Sequence, residues 1–127
     1  VDLETLEYIH LHKTGALLSA CVITGALIGN ADDTLITALR TYARGIGLAF
    51  QIIDDILDIT ASSEVLGKTA GKDLLADKTT YPKLLGLEES RKRADDLVRE
   101  AKEALQPWSE QAMPLLALAD FITSRDR

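Results

Sequence analysis

Ten consecutive residues, Phe50-Gln51-Ile52-Ile53-Asp54-Asp55-Ile56-Leu57-Asp58-Ile59, set three carboxylates among six large apolar side chains. On a helix, Gln51, Asp54, Asp55 and Asp58 gather in a stripe about 100° wide, while Ile52, Ile53, Ile56 and Leu57 point the other way. The segment therefore reads as one turn after another of a helix whose apolar face is buried. Like charges at these spacings cost a few tenths of a kcal/mol on a wet surface. Where the helix is half buried, each uncompensated charge costs several kcal/mol. A bound cation accounts for such a cluster better than a solvated face, which would mix Lys, Glu, Ser and Gln. Asp32-Asp33 differ: they follow Gly29-Asn30 and precede an apolar-periodic segment, so they read as an N-cap and a first-turn acid.

The rest of the chain has the same helical grain. One helix is expected over 4–28, closed by Gly29-Asn30, and a second from Asp32 to about Thr60. A polar loop follows over 63–80, and Pro82 fits the first turn of a short helix. An amphipathic helix runs from Glu88 to about Gln106, with Ala94, Leu97, Val98, Ala101 and Leu105 at helical spacing. Glu89/Arg93 and Asp95/Arg99 are placed to pair along it. Pro107 stops it, and a last helix covers about Ala112 to Ser124. No strand-like alternation, repeat or low-complexity tract interrupts this pattern, so the fold class is all-α. At 46% apolar but only 5% aromatic, the core is aliphatic, and 127 residues are enough to bury one. The net charge of −6 argues against nonspecific nucleic-acid binding, which needs a basic footprint. A single cysteine, Cys21, excludes a disulfide scaffold and reads as a small buried hydrophobe. The apolar run Gly15–Gly29 falls short of the about 20 residues a membrane span needs and reads as a buried core helix.

Cations complement the aspartates. Lys13 shares a helical-wheel face with Leu6, Ile9, His10, Ala16, Leu17 and Ala20, where a lysine either snorkels or meets an anion; Thr14 beside it can donate to the same anion. His10 and His12 point about 200° apart on a helix, so they cannot share a metal and read as structural or surface residues. Residues 66–83 hold four Lys against two Asp, a local +2, including Gly67-Lys68-Thr69-Ala70-Gly71-Lys72-Asp73 and Asp77-Lys78. The glycine spacing of a P-loop is missing. Three Asp without nearby His or Cys, followed by lysines, suggest Mg²⁺ and a polyphosphate.

In this order and spacing, Lys13-Thr14, Phe50-Gln51 with Asp54-Asp55-Ile56-Leu57-Asp58, Gly67-Lys68 and Lys78 resemble the C-terminal half of the trans-prenyl diphosphate synthases, most of all the geranylgeranyl type of plastids and cyanobacteria. The resemblance covers essentially all of residues 1–127, read as the C-terminal part of a single synthase domain. It implies a helical bundle around a deep cavity, a homodimer that does not span the membrane, and a plastid stroma or bacterial cytoplasm as its compartment. It further implies condensation of an allylic diphosphate with isopentenyl diphosphate, assisted by Mg²⁺. Asp54 is then the main metal ligand, with Asp55 and Asp58 in support directly or through water. Lys13, Lys68 and Lys78 hold diphosphate oxygens, Gln51 and Thr14 orient them, and Lys72 and Asp73 extend the loop. Asp54 and Lys13 are the residues closest to catalysis.

The family's first aspartate-rich motif and the basic residues that hold isopentenyl diphosphate have no counterpart in these 127 residues. The segment alone is therefore expected to be inactive. Other readings are a non-catalytic synthase subunit, a class I terpene cyclase and a plain helical interaction domain. Non-catalytic subunits often carry Cys-x-x-x-Cys pairs and degraded aspartate motifs. Cyclases usually have an Asn/Ser/Glu-type metal motif in place of the second pentad and lack the Lys-Thr and Gly-Lys elements.

Overall fold

A computed structural model describes residues 1–61 and 79–125. Its elements run α1 (Leu3–His10), a π-helical turn (Leu11–Gly15), α2 (Ala16–Ile28), α3 (Asp33–Ala61), α4 (Tyr81–Leu85), α5 (Leu87–Ala104), a 3₁₀ turn (Gln106–Trp108) and α6 (Met113–Ser124). No strand occurs among the described residues, and the all-α expectation holds.

Local chemistry sets the boundaries. Asp2 caps α1 by accepting from the Thr5 amide at 2.8 Å, and Asp32 does the same for Leu35 at 2.9 Å before α3. α2 ends where Asn30 turns to φ 58°, and the Ala31 amide reaches back to the Ala26 carbonyl at 2.9 Å. Thr80 caps α4, with Pro82 in its first turn. Gly86, at φ 86°, swings the chain directly into α5.

The 29-residue α3 is the spine, and the other helices lie against it. Two of its glycines explain how closely. A Cβ on Gly45 would stand 3.1 Å from the Leu97 carbonyl of α5, and one on Gly47 would stand 3.1 Å from Gly15 Cα in the π turn. Residues two apart on a helix point to nearly opposite sides. α3 is thus notched on one side for α5 and on the other for the π turn. Ala94, Leu97, Val98, Ala101 and Leu105 are all buried against Tyr42, Ile46, Ile52 and Ile53, as their spacing indicated. The Tyr42 hydroxyl donates to the Leu115 carbonyl at 2.7 Å, tying α6 to the spine.

Three expectations change. The helix over 4–28 is continuous but broken in register by the π turn. The segment 15–29 is not a buried core helix: no residue of α2 is buried, Leu17, Leu27 and Ile28 are exposed, and Cys21 is exposed with them. The reason is that α2 packs along one helix, α3, and has no polar face, its two hydroxyls at Ser19 and Thr24 standing well apart around it. Finally, Arg93 pairs with Glu7 of α1 at 2.9 Å rather than with Glu89, and Arg99 pairs with Asp96 and Glu103 rather than Asp95. The joined helix Leu3–Ile28 is long and apolar enough to cross a membrane by length and composition alone. That is weak evidence, since its first half carries Glu4, Glu7, His10, His12 and Lys13.

Candidate functional site: the aspartate face of α3 and the π turn

A π turn accommodates one extra residue and rotates the helix beyond it by about 100° relative to an unbroken α-helix. In an unbroken helix, Leu6, His10, Lys13 and Leu17 would share a stripe. Here the inward edge runs Leu6, His10, Gly15 and then Val22 and Ala26. Lys13 is turned out to solvent together with Leu17, so it does not lie within an apolar core. Thr14 falls on the seam with α3. Its hydroxyl donates to Gln51 Oε1 at 2.8 Å, a contact across 37 residues of sequence. This bond places the Lys13-Thr14 pair beside the helical turn that carries the aspartates.

The three aspartates separate by direction. Asp55, at one edge of the 100° stripe, is buried at 3% exposure. Its carboxylate accepts from the Tyr81 amide at 3.3 Å and stands 3.7 Å from His10 Nε2. The His10 ring stacks on Tyr81, centroids 5.7 Å apart. His10 is therefore a structural residue, whereas His12 is exposed and bonds the Tyr8 carbonyl. Burial pushes the Tyr81 hydroxyl above the usual tyrosine range, and the neighbouring Glu7 carboxylate adds to that. Asp58 is exposed and Asp54 is half exposed, both on the open side.

Asp54 has a partner that no sequence pattern indicated. The Arg125 guanidinium, one residue past α6, donates to Asp54 Oδ1 and to the Phe50 carbonyl at 3.1 Å. It also lies 4.2 Å over the Phe50 ring. The return of α6 along α3 brings it here.

Lys68, Lys72, Asp73 and Lys78 lie outside the described residues. The described flanks of that segment both adjoin the aspartates: Ala61 ends α3 three residues after Asp58, and Tyr81 is fastened to Asp55. Among the described residues, no group of three His, Cys, Asp or Glu converges as a metal site. The open face nevertheless offers the oxygen donors a hard cation takes, from Asp54, Asp58, Gln51 and Thr14. A cation, the guanidinium of Arg125, already stands on Asp54. In residue type, this face fits Mg²⁺. The groove between α5 and α6 offers no comparable chemistry, since Arg99, Lys102, Glu103 and Asp120 in it are paired with acids or bases.

Comparison with known proteins gives the family and the fold. The polyprenyl synthetase family profile matches residues 1–113. A dimethylallyltranstransferase of Fischerella ambigua is 58% identical over 98% of this chain and 36% of its own length. A chloroplastic geranylgeranyl pyrophosphate synthase of Capsicum annuum is 59% identical over 99% of this chain and 34% of its own. Among solved structures, an FPP/GFPP synthase of Zymomonas mobilis superposes with a TM-score of 0.78 at 36% identity, over 97% of this chain and 38% of that one. A geranyltransferase of Helicobacter pylori, solved with magnesium and isoprenyl diphosphate, gives 0.69 at 34% identity, over 98% and 41%. The chain spans about a third of the length of the curated relatives it matches.

Proposed function

The chain belongs to the polyprenyl synthetase family, and on that premise we propose that it forms the second aspartate-rich side of a trans-prenyltransferase site. The substrates are an allylic diphosphate and isopentenyl diphosphate, and the product is a longer trans-prenyl diphosphate, geranylgeranyl diphosphate being the first choice given the relatives at 58–59% identity. The observation that carries this reading is the Thr14–Gln51 hydrogen bond, which sets a lysine and a carboxylate-bearing turn side by side across the α2–α3 seam.

Each residue has a physical task. Asp54 and Asp58 present carboxylate oxygens to solvent and would hold Mg²⁺ there, as one side of a larger cage. Bound Mg²⁺ supplies charge neutralisation for a pyrophosphate leaving group. Lys13 is exposed beside that face and meets diphosphate as a point charge. Thr14 and Gln51 fix each other: with the Thr14 hydroxyl donated to Gln51 Oε1, the Gln51 side-chain N–H is held ready to donate to the anion. Asp55 is a post rather than an open ligand: it accepts from the Tyr81 amide and so fixes the start of α4 beside the turn. Leu17, exposed one turn on from Lys13, would help keep water from an allylic cation.

The 127 residues hold one aspartate-rich motif, so by themselves they bind the metal–diphosphate pair without turning it over. The whole protein is read as a homodimer in a plastid stroma or a bacterial cytoplasm, in keeping with chloroplastic relatives and one from Fischerella. The test uses the protein at the full length of its relatives, with isopentenyl diphosphate, an allylic primer and Mg²⁺. Asp54→Ala should lose Mg²⁺-dependent turnover while keeping its helical circular dichroism. Wild-type turnover in that variant would refute the assignment.

A further inference from the structure

Arg125 makes four interactions with a single guanidinium, three of them to α3. It donates to Asp54 Oδ1, donates to the Phe50 carbonyl at 3.1 Å, and covers the Phe50 ring at 4.2 Å, while its Nε donates to the Ile122 carbonyl of its own helix at 3.3 Å. Its side chain is 19% exposed against 38% for Asp54. A surface arginine that happens to meet an acid does not look like this. A guanidinium is weakly hydrated, planar and suited to stacking, so a half-buried shelf formed by an aromatic ring and a backbone carbonyl holds it well.

From this placement we propose that Arg125 is the resident counter-ion of Asp54, a positioning residue that competes with Mg²⁺ for that carboxylate and couples metal binding to the last turn of α6. The inference rests on the reading of Asp54 as a metal ligand. Two cations on one carboxylate repel, so a Mg²⁺ ion entering at Asp54 weakens the guanidinium contact. By linkage, Arg125 weakens Mg²⁺ by the same factor. The Phe50 ring and carbonyl give the guanidinium somewhere to stay once Asp54 is taken, so the exchange leaves no bare charge behind. The whole protein thereby keeps Asp54 compensated until metal arrives, and the last turn of α6 reports which cation is there.

The experiment is a titration of the full-length protein with Mg²⁺ alone, with affinity read by calorimetry and with hydrogen exchange followed along α6. Arg125→Gln should bind Mg²⁺ about tenfold tighter than wild type. Arg125→Lys keeps the charge and should bind close to wild type. In the wild type, Mg²⁺ should speed amide exchange over residues 121–125. A merely structural arginine would leave both variants alike, at equal or weaker affinity, and that result overturns the proposal. An unaltered exchange pattern in the wild type overturns it too, with no variant required to fold. Asp54→Ala separates the two layers. If it abolishes Mg²⁺ binding while Arg125→Gln matches wild type, the counter-ion proposal alone fails. If Asp54→Ala binds Mg²⁺ as wild type does, the metal-ligand reading fails and takes the proposal with it.

Discussion

Replacing Tyr42 by Phe should weaken the protein at neutral pH and strengthen it, relative to wild type, in strong alkali. Tyr42 has no exposed surface, and its hydroxyl donates to the Leu115 carbonyl at 2.7 Å. Loss of one neutral hydrogen bond of this kind costs about 1 kcal/mol. The Leu115 carbonyl lies in the first turn of α6 and keeps its helical partner, so little is added for an orphaned acceptor. Burial pushes the Tyr42 hydroxyl from 10.0 up to about 12. Between these values the unfolded chain has released the proton and the folded chain still holds it. Stability associated with Tyr42 is therefore complete below pH 10 and is withdrawn as pH rises towards 12, to a total of a few kcal/mol, more than the hydrogen bond contributes. The phenylalanine variant does not feel this withdrawal. Other alkaline titrations, including that of buried Tyr81, are common to both proteins and cancel in the difference. The two stabilities should cross between pH 10 and 12. Urea unfolding at pH 7, 9, 10 and 11.5, comparing extrapolated free energies at equal m-value, measures this directly. A difference of about 1 kcal/mol that is flat with pH would refute the link between burial and titration.

Other expectations concern the site and its supports. Gly25→Ala should stabilise by about 1 kcal/mol through helix propensity, since a Cβ there meets nothing within 4 Å. Gly47→Ala should reverse the sign, because its Cβ would press on Gly15 Cα at 3.1 Å. A net loss of about 1 kcal/mol is expected in thermal melts. Thr14→Val, which removes the donor to Gln51, should cost about 1 kcal/mol of stability. In the full-length protein it should also weaken pyrophosphate binding in the presence of Mg²⁺, as read by calorimetry. Asp55→Ala, which strips the buried Tyr81 amide of its acceptor, should cost about 1–3 kcal/mol. Asp54→Ala should cost about 1 kcal/mol or less, because its pair with Arg125 is partly open to solvent. Equal losses in those two variants would contradict the division of labour between neighbouring aspartates.

How much of the fold and the site was legible in the sequence depends on the range of the interactions concerned. Caps and stops are local chemistry, so Asp32, Asn30 and Pro82 mark the helix boundaries within one or two residues. The buried face of α5 could be read because its apolar spacing stays in one period throughout. Lys13 was misplaced because a wheel assumes an unbroken period, and nothing in Leu11-His12-Lys13-Thr14-Gly15 announces an extra residue per turn; the neighbour that favours it is Gly47, on another helix. Asp55 was grouped with Asp58 as a support for Asp54 because one helix shows only its own stripe. Which edge of that stripe is covered depends on Tyr81 and His10. Arg125 was silent for the same reason, since its partner lies 71 residues away. Cys21 was read as buried on the assumption that an apolar helix is covered on every side.

The apolarity of α2 has a consequence for the uniqueness of the native state. A helix with a polar face has one rotational setting of low energy; α2 has no such face, so burial alone leaves several rotations nearly degenerate. Selection among them falls to a few short-range features: the notch where Gly15 meets Gly47, and the single Thr14–Gln51 bond. Straightening residues 11–15 into an ordinary α-helix, with none deleted, would still leave a good helix, but one turned by about 100°, with Leu17 and Cys21 moving towards α3. The near-degeneracy is therefore resolved at the same turn that presents Lys13, and a register error in α2 would misplace that lysine while leaving the helical content of the protein unchanged.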